Sequence, residues 1–266
     1  MAHLVFFVLI FAGQLIGGFS AQRQHPSNNG KLITILTIDG GGIKAIIPAT
    51  ILDYLDKALK AKDPKADLAD YFDVMGGTST GSITAAMLAT PSFDRPTRPA
   101  YTPAQILDFY KLNGPRIFDE SRPGNGPLFD GEGLHDAVSD ALKETRIGEA
   151  LTNLVIPAFD IKKQKPYVFS SYKVEKVPYL NAFLSDICVS TSAAPTQFPP
   201  YLFENNGVEF NLVDGGEAAL NPSQIAVSEV LQQNEDPEIL VLSLGTGATK
   251  IQESFDARRS WDMGCY

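Results

Sequence analysis

The chain has 266 residues, of which 44% are hydrophobic and 20% charged, and its 22 basic and 31 acidic side chains give a net charge of −9. This composition excludes a mainly disordered protein and provides enough chain for one large domain or two small ones. The acidic balance argues against nucleic acid as a partner, because a phosphate backbone requires clustered Lys and Arg. Two cysteines and three histidines exclude a disulfide scaffold and leave few catalytic options.

The first residues form a separate segment. Residues 4–12 are an unbroken apolar run, and no charged side chain occurs before Arg23. The run is too short to span a membrane, so we predict a signal peptide over residues 1–20, with an uncleaved signal anchor as the alternative. Residues 21–30 are polar and predict a flexible lead-in. This N-terminus predicts entry into the secretory pathway, with the vacuole or the cell exterior as destination.

The rest of the chain alternates between strand and helix patterns. Strands are predicted over residues 31–38, 71–75, 154–159, 167–170, 208–213 and 239–244. Helices are predicted over residues 43–59, 82–89, 102–112, 134–142, 180–191 and 222–232. Strands separated by helices predict a three-layer α/β/α fold with a mainly parallel central sheet. In such sheets ligands bind outside the C-terminal strand ends, where the glycine-rich segments of this chain fall.

The segment Gly77-Thr78-Ser79-Thr80-Gly81 lies between a predicted strand and a predicted helix. The pattern Gly-x-Ser-x-Gly in this context is typical of a nucleophile elbow, a strained turn that exposes a serine hydroxyl at a helix N-terminus. The two glycines remove side chains that would clash in such a turn. We therefore predict Ser79 as a nucleophile, with a tight turn and a capping serine as the alternative.

A second glycine-rich turn, here called the glycine loop, consists of Gly40, Gly41 and Gly42 after the first predicted strand. Its backbone N–H groups would suit an oxyanion or a phosphate equally well. The dinucleotide pattern requires a glycine where this chain has Ala45, and a nucleotide site would leave Ser79 without a role. A nucleotide-binding module is therefore the weaker hypothesis, and a plain strand-to-helix turn remains a further alternative.

The base for Ser79 must be a carboxylate. No histidine follows His135, so the α/β-hydrolase order of serine, acid and histidine fails, and His135 is predicted to be a surface or packing residue. Asp214, which precedes Gly215 and Gly216, is by itself typical of an ordinary turn and gains a role only beside Ser79. Burial would raise the pKa of Asp214 and make it a better base. No metal-ligand spacing occurs, and no cofactor is expected.

Six segments resemble, in the same order, the patatin family of lipolytic acyl hydrolases: ITILTIDGGGIKAIIPATIL, DYFDVMGGTSTGS, FDIKKQKPYVF, STSAAPTQFPP, FNLVDGG and LVLSLGTG. The resemblance covers roughly residues 31–250, which we predict to be one acyl hydrolase domain. It implies a serine–aspartate dyad with Ser79 as nucleophile and Asp214 as base, and the glycine loop as oxyanion loop. It also implies that the substrates are acyl esters of membrane lipids (phospholipids, galactolipids and monoacylglycerols), reached at a membrane surface. Family members also accumulate as storage protein.

Four positions depart from the family pattern. Ala45 and Ser82 stand where members usually have glycine, and Glu217 and Leu220 alter the segment after Asp214. A buried carboxylate at Glu217 would raise the pKa of Asp214 or disturb the turn.

The chain also ends sooner than family members do. We therefore expect residues 251–266 to be a short tail and the family's C-terminal helical segment to be missing. A storage or defence protein with weak or no hydrolase activity is the alternative function. Phe198 and Tyr201 are candidates to line the lipid crevice, although core packing is the preferred role for both side chains.

Overall fold

The computed structural model describes residues 32–120 and 126–247, and within them seven strands form one sheet. The signal peptide (residues 1–20), the lead-in (residues 21–30) and the tail (residues 251–266) that the sequence predicts lie outside these residues. The strand order is β5-β6-β3-β2-β1-β7, and β4 also pairs with β3. The strands are β1 (Ile33–Ile38), β2 (Val74–Gly77), β3 (Asn153–Asp160), β4 (Lys165–Ser170), β5 (Tyr201–Asn205), β6 (Val208–Val213) and β7 (Ile239–Leu244).

Helices pack on both faces of the sheet. They are α1 (Ile46–Lys60), α2 (Thr80–Ala89), α3 (Pro103–Ile117), α4 (Glu132–Leu142), α5 (Leu184–Thr191), α6 (Gly216–Ala219) and α7 (Ser223–Gln233). The two faces of β1 divide the core: Leu36 and Ile38 belong to a large cluster with α1 to α5, and Ile33 and Ile35 belong to a small cluster with α7. The predicted three-layer α/β/α fold is confirmed.

The sheet is mainly parallel, as the sequence predicts. Strands β3, β2, β1 and β7 pair in parallel, whereas β4 and β6 run antiparallel to β3, and β5 runs antiparallel to β6. Five of the seven described strands therefore share one direction. Strand β5 was missing from the sequence prediction. Asn206 and Gly207, both with positive φ, form the two-residue hairpin turn before β6, and Asn-Gly is a strong sequence signal for that turn.

The face of α1 that is buried differs from the face that the sequence predicts. The predicted apolar stripe spaces its residues by four, and such a stripe drifts by about 40° per step around a helix with 3.6 residues per turn. Leu55 and Leu59 are buried, but Ile43 and Ile47, at the other end of the stripe, are 42% and 44% exposed. Ile43 lies in a short 3₁₀ segment (Gly42–Ala45) before α1. These two isoleucines therefore face solvent beside the glycine loop.

Replacing Phe210 with alanine tests the packing between β5 and β6. Phe210 is fully buried and stacks on Phe203, with ring centroids 4.7 Å apart and planes 10° apart. We expect Phe210→Ala to lower the free energy of unfolding by about 3–5 kcal/mol, measured by urea denaturation. Phe93, which is 98% exposed, provides the control, and Phe93→Ala should change stability by no more than about 0.5 kcal/mol. Equal losses in both variants would contradict this core assignment.

Candidate active site

Ser79 occupies a strained turn between β2 and α2. Its backbone φ of 52° and ψ of −133° lie in a region that side-chain-bearing residues rarely adopt, and such strain is concentrated at functional sites. A Cβ on Gly77 would lie 2.5 Å from the carbonyl oxygen of Gly81, and a Cβ on Gly81 would overlap the carbonyl oxygen of Ile38. The turn therefore requires both glycines, as the sequence predicts for a nucleophile elbow.

The ends of β2 and β6 meet on one edge of β3. Val155 pairs with β2 on one side and with β4 on the other, and Phe159 pairs with β6 on one side and with β4 on the other. Strands β2 and β6 therefore share the edge of β3 opposite β4. Because they run in opposite directions, their C-terminal ends point towards each other. Ser79 follows the end of β2 and Asp214 follows the end of β6.

The two side chains meet in a buried position. Ser79 is 7% exposed and Asp214 is 6% exposed. Burial raises the pKa of Asp214, while hydrogen bonds from the Ser79 side chain and from the Gly216 N–H, at 2.6 Å from Oδ1, offset part of that rise. The carboxyl group is thus held in contact with the serine hydroxyl and binds a proton more tightly than an aspartate in water does.

Histidine takes no part in this arrangement among the described residues. The one histidine they include, His135, lies on α4 with its side chain half exposed and 3.7 Å from Asp136. This agrees with its prediction as a surface residue. The described residues also contain no group of three or more His, Cys, Asp or Glu side chains that could hold a metal ion.

The glycine loop lies directly against Ser79. A Cβ on Gly40 would be 3.0 Å from the Ser79 Cβ, so any larger residue there would press on the serine. The Gly40 N–H donates to the carbonyl oxygen of Leu220 at 3.2 Å. The N–H groups of Gly41 and Gly42 have no acceptor among the residues that the structure describes. Donors without an acceptor, in a loop that contacts Ser79 through Gly40, would suit an oxyanion.

The two departures at Ala45 and Ser82 fit the structure without strain. Ala45 is fully buried in the main core cluster with a helical backbone. The Ser82 hydroxyl donates to the carbonyl oxygen of Ser79 at 2.6 Å, within the first turn of α2. Both residues replace glycine in helical backbone, where a Cβ is tolerated.

The other two departures follow Asp214 in the chain and are exposed. Glu217 is exposed, so the buried carboxylate that the sequence analysis considers at this position is wrong, yet its charge still raises the pKa of Asp214. Leu220 is 54% exposed, and its Cδ1 atom would lie 3.0 Å from a Cβ on Gly40 and 3.6 Å from one on Gly216. Leu220 therefore covers part of the glycine loop with an apolar side chain.

The two aromatic candidates for the crevice have structural contacts, which agrees with their preferred role in packing. Phe198 is 6% exposed, and its ring centroid lies 5.2 Å from that of Phe129 and 5.9 Å from that of Phe118. The Phe118 ring lies 3.6 Å from the position of a Cβ on Gly42, so this aromatic cluster supports the glycine loop from outside. The Tyr201 hydroxyl donates to the carboxylate of Asp186 at 2.8 Å.

Three buried threonines connect the parts of the site. The sequence patterns assign no role to them. Thr78 donates to the carbonyl oxygen of Ala219 and Thr246 donates to that of Gly40, both at 2.8 Å. Thr191 accepts a hydrogen bond from the Ser79 N–H at 3.1 Å. Thr191 lies in the STSAAPTQFPP segment and Thr246 in LVLSLGTG. In the sequence, each of these threonines is a polar residue among apolar ones. That pattern does not distinguish a residue that connects parts of a site from one that only packs in the core.

Comparison with known proteins identifies the family. The family model "Patatin-like phospholipase" matches residues 36–227. The chain is 42% identical to patatin-like protein 3 of Arabidopsis thaliana, over 91% of this chain and 65% of that protein. It is 44% identical to patatin-T5 of Solanum tuberosum, over 88% of this chain and 66% of that protein. The chain belongs to the patatin-like phospholipase family, which confirms the resemblance.

The chain matches its relatives over only part of their length, and its likeness to solved structures is limited to the fold. The chain spans slightly less than two thirds of the length of these two plant relatives. Among solved structures, VipD from Legionella pneumophila superimposes with a TM-score of 0.51 at 12% identity, over 86% of this chain and 52% of that one. This likeness concerns the fold alone. Within the described residues, no helix is both long enough and apolar enough to cross a bilayer.

Asp214 and Asp160 should respond to pH in opposite ways. The raised pKa of Asp214 means that its ionisation destabilises the fold as pH rises through that pKa. For the buried Asp160, burial alone raises the pKa, but hydrogen bonds and the charge of Lys163 outweigh it and lower the pKa. Its ionised form therefore stabilises the fold, and this contribution is lost as pH falls through the lowered pKa.

We therefore expect the melting temperature of Asp214→Asn, relative to wild type, to increase as pH rises from about 4 to about 7. The matched variant Asp160→Asn should show its trend at lower pH, its melting temperature relative to wild type rising as pH falls from about 4 to about 2, where wild type loses the ionised carboxylate. Differential scanning calorimetry from about pH 2 to about pH 7 measures both. A relative melting temperature of Asp214→Asn that stays constant or falls with pH would contradict the assignment.

Proposed function

We propose that the protein is a lipid acyl hydrolase that uses Ser79 as nucleophile and Asp214 as base. The observation that carries this proposal is the position of the Ser79 side chain beside the buried Asp214 carboxyl group, whose pKa the serine hydroxyl lowers as a hydrogen-bond donor. A serine hydroxyl is a weak nucleophile unless a base takes its proton. The raised pKa of Asp214 supports that task, because a more basic carboxylate is a better proton acceptor.

The reaction proceeds in two halves. The Ser79 oxygen attacks the ester carbonyl carbon while its proton passes to Asp214, and the resulting tetrahedral intermediate expels the alcohol, which takes that proton. Water then attacks the acyl-enzyme, giving its proton to Asp214, and the intermediate collapses to release the fatty acid and restore the Ser79 hydroxyl. The N–H groups of Gly41 and Gly42, which have no acceptor within residues 32–120 and 126–247, bind the oxyanion in both halves. Gly40 does not donate to the oxyanion, because its N–H already donates to the carbonyl oxygen of Leu220.

Apolar side chains around the glycine loop support a lipid as the substrate. Ile43, Ile47 and Leu220 are 42%, 44% and 54% exposed at this end of the sheet. Exposed apolar side chains at this position would meet the apolar chains of a lipid substrate. The substrate class we propose is membrane glycerolipid: phospholipid, galactolipid or monoacylglycerol, reached at the membrane surface. A role in lipid degradation and defence, in the vacuole or outside the cell, completes the proposal.

Removing either group of the dyad should abolish hydrolysis. We expect Ser79→Ala and Asp214→Asn each to lower kcat/KM for a short p-nitrophenyl acyl ester by at least about 10³-fold, because losing one member disables the unit. The same variants should release no fatty acid from phosphatidylcholine or galactolipid vesicles. Mass spectrometry of protein treated with a fluorophosphonate should identify Ser79 as the modified residue.

Asp160→Asn is the control for the aspartate, since Asp160 is equally buried but pairs with Lys163. It should keep wild-type activity wherever the variant remains folded. Hydrolysis by Ser79→Ala at the wild-type rate would end the enzymatic proposal and leave a storage or defence protein as the function. Ester hydrolysis without release from vesicles would retain the dyad but reject the membrane-lipid substrate.

The charge of Glu217 should tune the pH dependence of the reaction. That charge raises the pKa of Asp214, so Glu217→Gln should lower the pKa and keep the base ionised at more acidic pH. We expect the acidic limb of the kcat/KM profile to move to lower pH in Glu217→Gln. Glu204→Gln, which removes an exposed charge on β5, should leave the profile unchanged. An upward shift, or an equal shift in both variants, would contradict this role of Glu217.

A further inference from the structure

Thr191 is the last residue of α5 and is fully buried. Its hydroxyl accepts a hydrogen bond from the Ser79 N–H at 3.1 Å and donates one to the Pro157 carbonyl oxygen at 2.5 Å. Its own carbonyl oxygen accepts the N–H of Gly215 at 3.0 Å. One residue thus bonds to the nucleophile, to the central strand and to the turn that carries Asp214.

The position of Pro157 explains why a side chain is needed there. Along the edge of β3 shared by β2 and β6, ladder pairing with β2 ends at Val155 and pairing with β6 begins at Phe159. Pro157 lies in the gap between the two strand ends. Its carbonyl oxygen accepts the Thr191 hydroxyl instead of a strand N–H. A buried carbonyl left without a partner would be costly, so this bond fixes Thr191 in the gap.

Thr191 is closely packed against the turn that carries Asp214. A Cβ on Gly215 would overlap the Pro157 oxygen and lie 2.6 Å from the Thr191 Oγ1 atom. The Asp214 N–H donates to the carbonyl oxygen of Ala193 at 3.0 Å, which ties the same end of α5 to the base. The end of α5 therefore holds Asp214 through backbone bonds, whereas it holds Ser79 through the Thr191 hydroxyl.

We propose that Thr191 is a positioning residue, whose hydroxyl anchors the strained Ser79 backbone and so fixes the Ser79 oxygen against the Asp214 carboxyl group. This inference rests on the proposed dyad. Reacting groups must be held within a fraction of an ångström, and small displacements reduce rates by large factors. Thr191 touches neither the substrate nor the proton in this scheme and acts only through the Ser79 amide.

Thr191→Val and Thr191→Ser test the hydroxyl. Valine keeps the shape of threonine but removes both hydrogen bonds, and serine keeps the hydroxyl. The matched control is Thr90→Val, because Thr90 is a buried threonine whose hydroxyl donates to the carbonyl of Ala86 at 2.8 Å, at the opposite end of α2 from Ser79.

For Thr191→Val we expect kcat to fall by about 10- to 100-fold while KM stays within about twofold, measured with a soluble acyl ester. Loosening the Ser79 hydrogen bond to Asp214 should also raise the pKa of the base and move the acidic limb of kcat/KM to higher pH. Thr191→Ser should recover kcat to within about threefold, and Thr90→Val should keep the wild-type kcat and pH limb despite a similar loss of melting temperature.

Each outcome decides the inference. Equal kcat and pH limb in Thr191→Val and Thr90→Val, with Ser79-dependent activity in wild type, would overturn the role of Thr191 alone. Wild type without Ser79-dependent hydrolysis or fluorophosphonate labelling would remove the proposed function, and this role with it. If circular dichroism shows that Thr191→Val does not fold, Thr191→Ala against Thr191→Ser makes the same comparison. Equal activity in that pair would also overturn the role.

Discussion

The antiparallel pairing of β6 with β3 is the constraint on which the site depends. In a purely parallel sheet, the C-terminal ends of all strands lie at the same edge, and each strand occupies its own position in the sheet. Here β2 and β6 pair with the same edge of β3 from opposite directions, and both end before they meet. Ser79 and Asp214, distant in sequence, are brought into contact by that encounter. The hairpin at Asn206 and Gly207 reverses the chain so that β6 has this direction.

Burial at the junction of these strands determines the chemistry of the aspartate. With the carboxyl group of Asp214 almost out of water, the ionised form is penalised, and hydrogen bonds from Ser79 and Gly216 compensate only in part. The same burial would be a pure cost in a structural residue. At this position it gives the carboxylate a basicity that a solvent-exposed aspartate lacks. In the proposed dyad, an imidazole is therefore not required.

Threonine hydroxyls and glycine backbones share the task of fitting the loops together. Gly41 packs on Thr246 so tightly that a Cβ would overlap its hydroxyl, and that hydroxyl holds the carbonyl of Gly40. Thr78 ties the turn at Ser79 to α6, which follows the base. In both cases, as with Thr191, a short side chain with one donor satisfies a backbone carbonyl outside regular pairing. The loops are thus fixed by buried hydrogen bonds rather than by strand ladders.

Strong local patterns in the sequence were enough to predict several elements. Buried apolar runs located strands such as β1 and β7, and spacing identified the turn at Ser79, because strained turns need glycine at fixed positions. Resemblance singled out Asp214. Strand β5 was missed although Asn206 and Gly207 give a local hairpin signal, and local pattern did not reveal that β6 runs against β3 or that Gly40 pairs with Leu220.

The direction of β6 and the pairing of Gly40 depend on which backbone groups remain unpaired once the sheet has formed. The exposure of a side chain depends on how deeply it lies in the fold. Glu217 illustrates the same limit: the sequence allowed a buried carboxylate there, and the tertiary structure placed it in solvent. The hydrogen bonds of Thr191 to the Ser79 N–H and the Pro157 carbonyl oxygen were likewise visible only in the fold. Hydrogen bonds between distant segments follow from three-dimensional proximity, which a linear pattern does not encode.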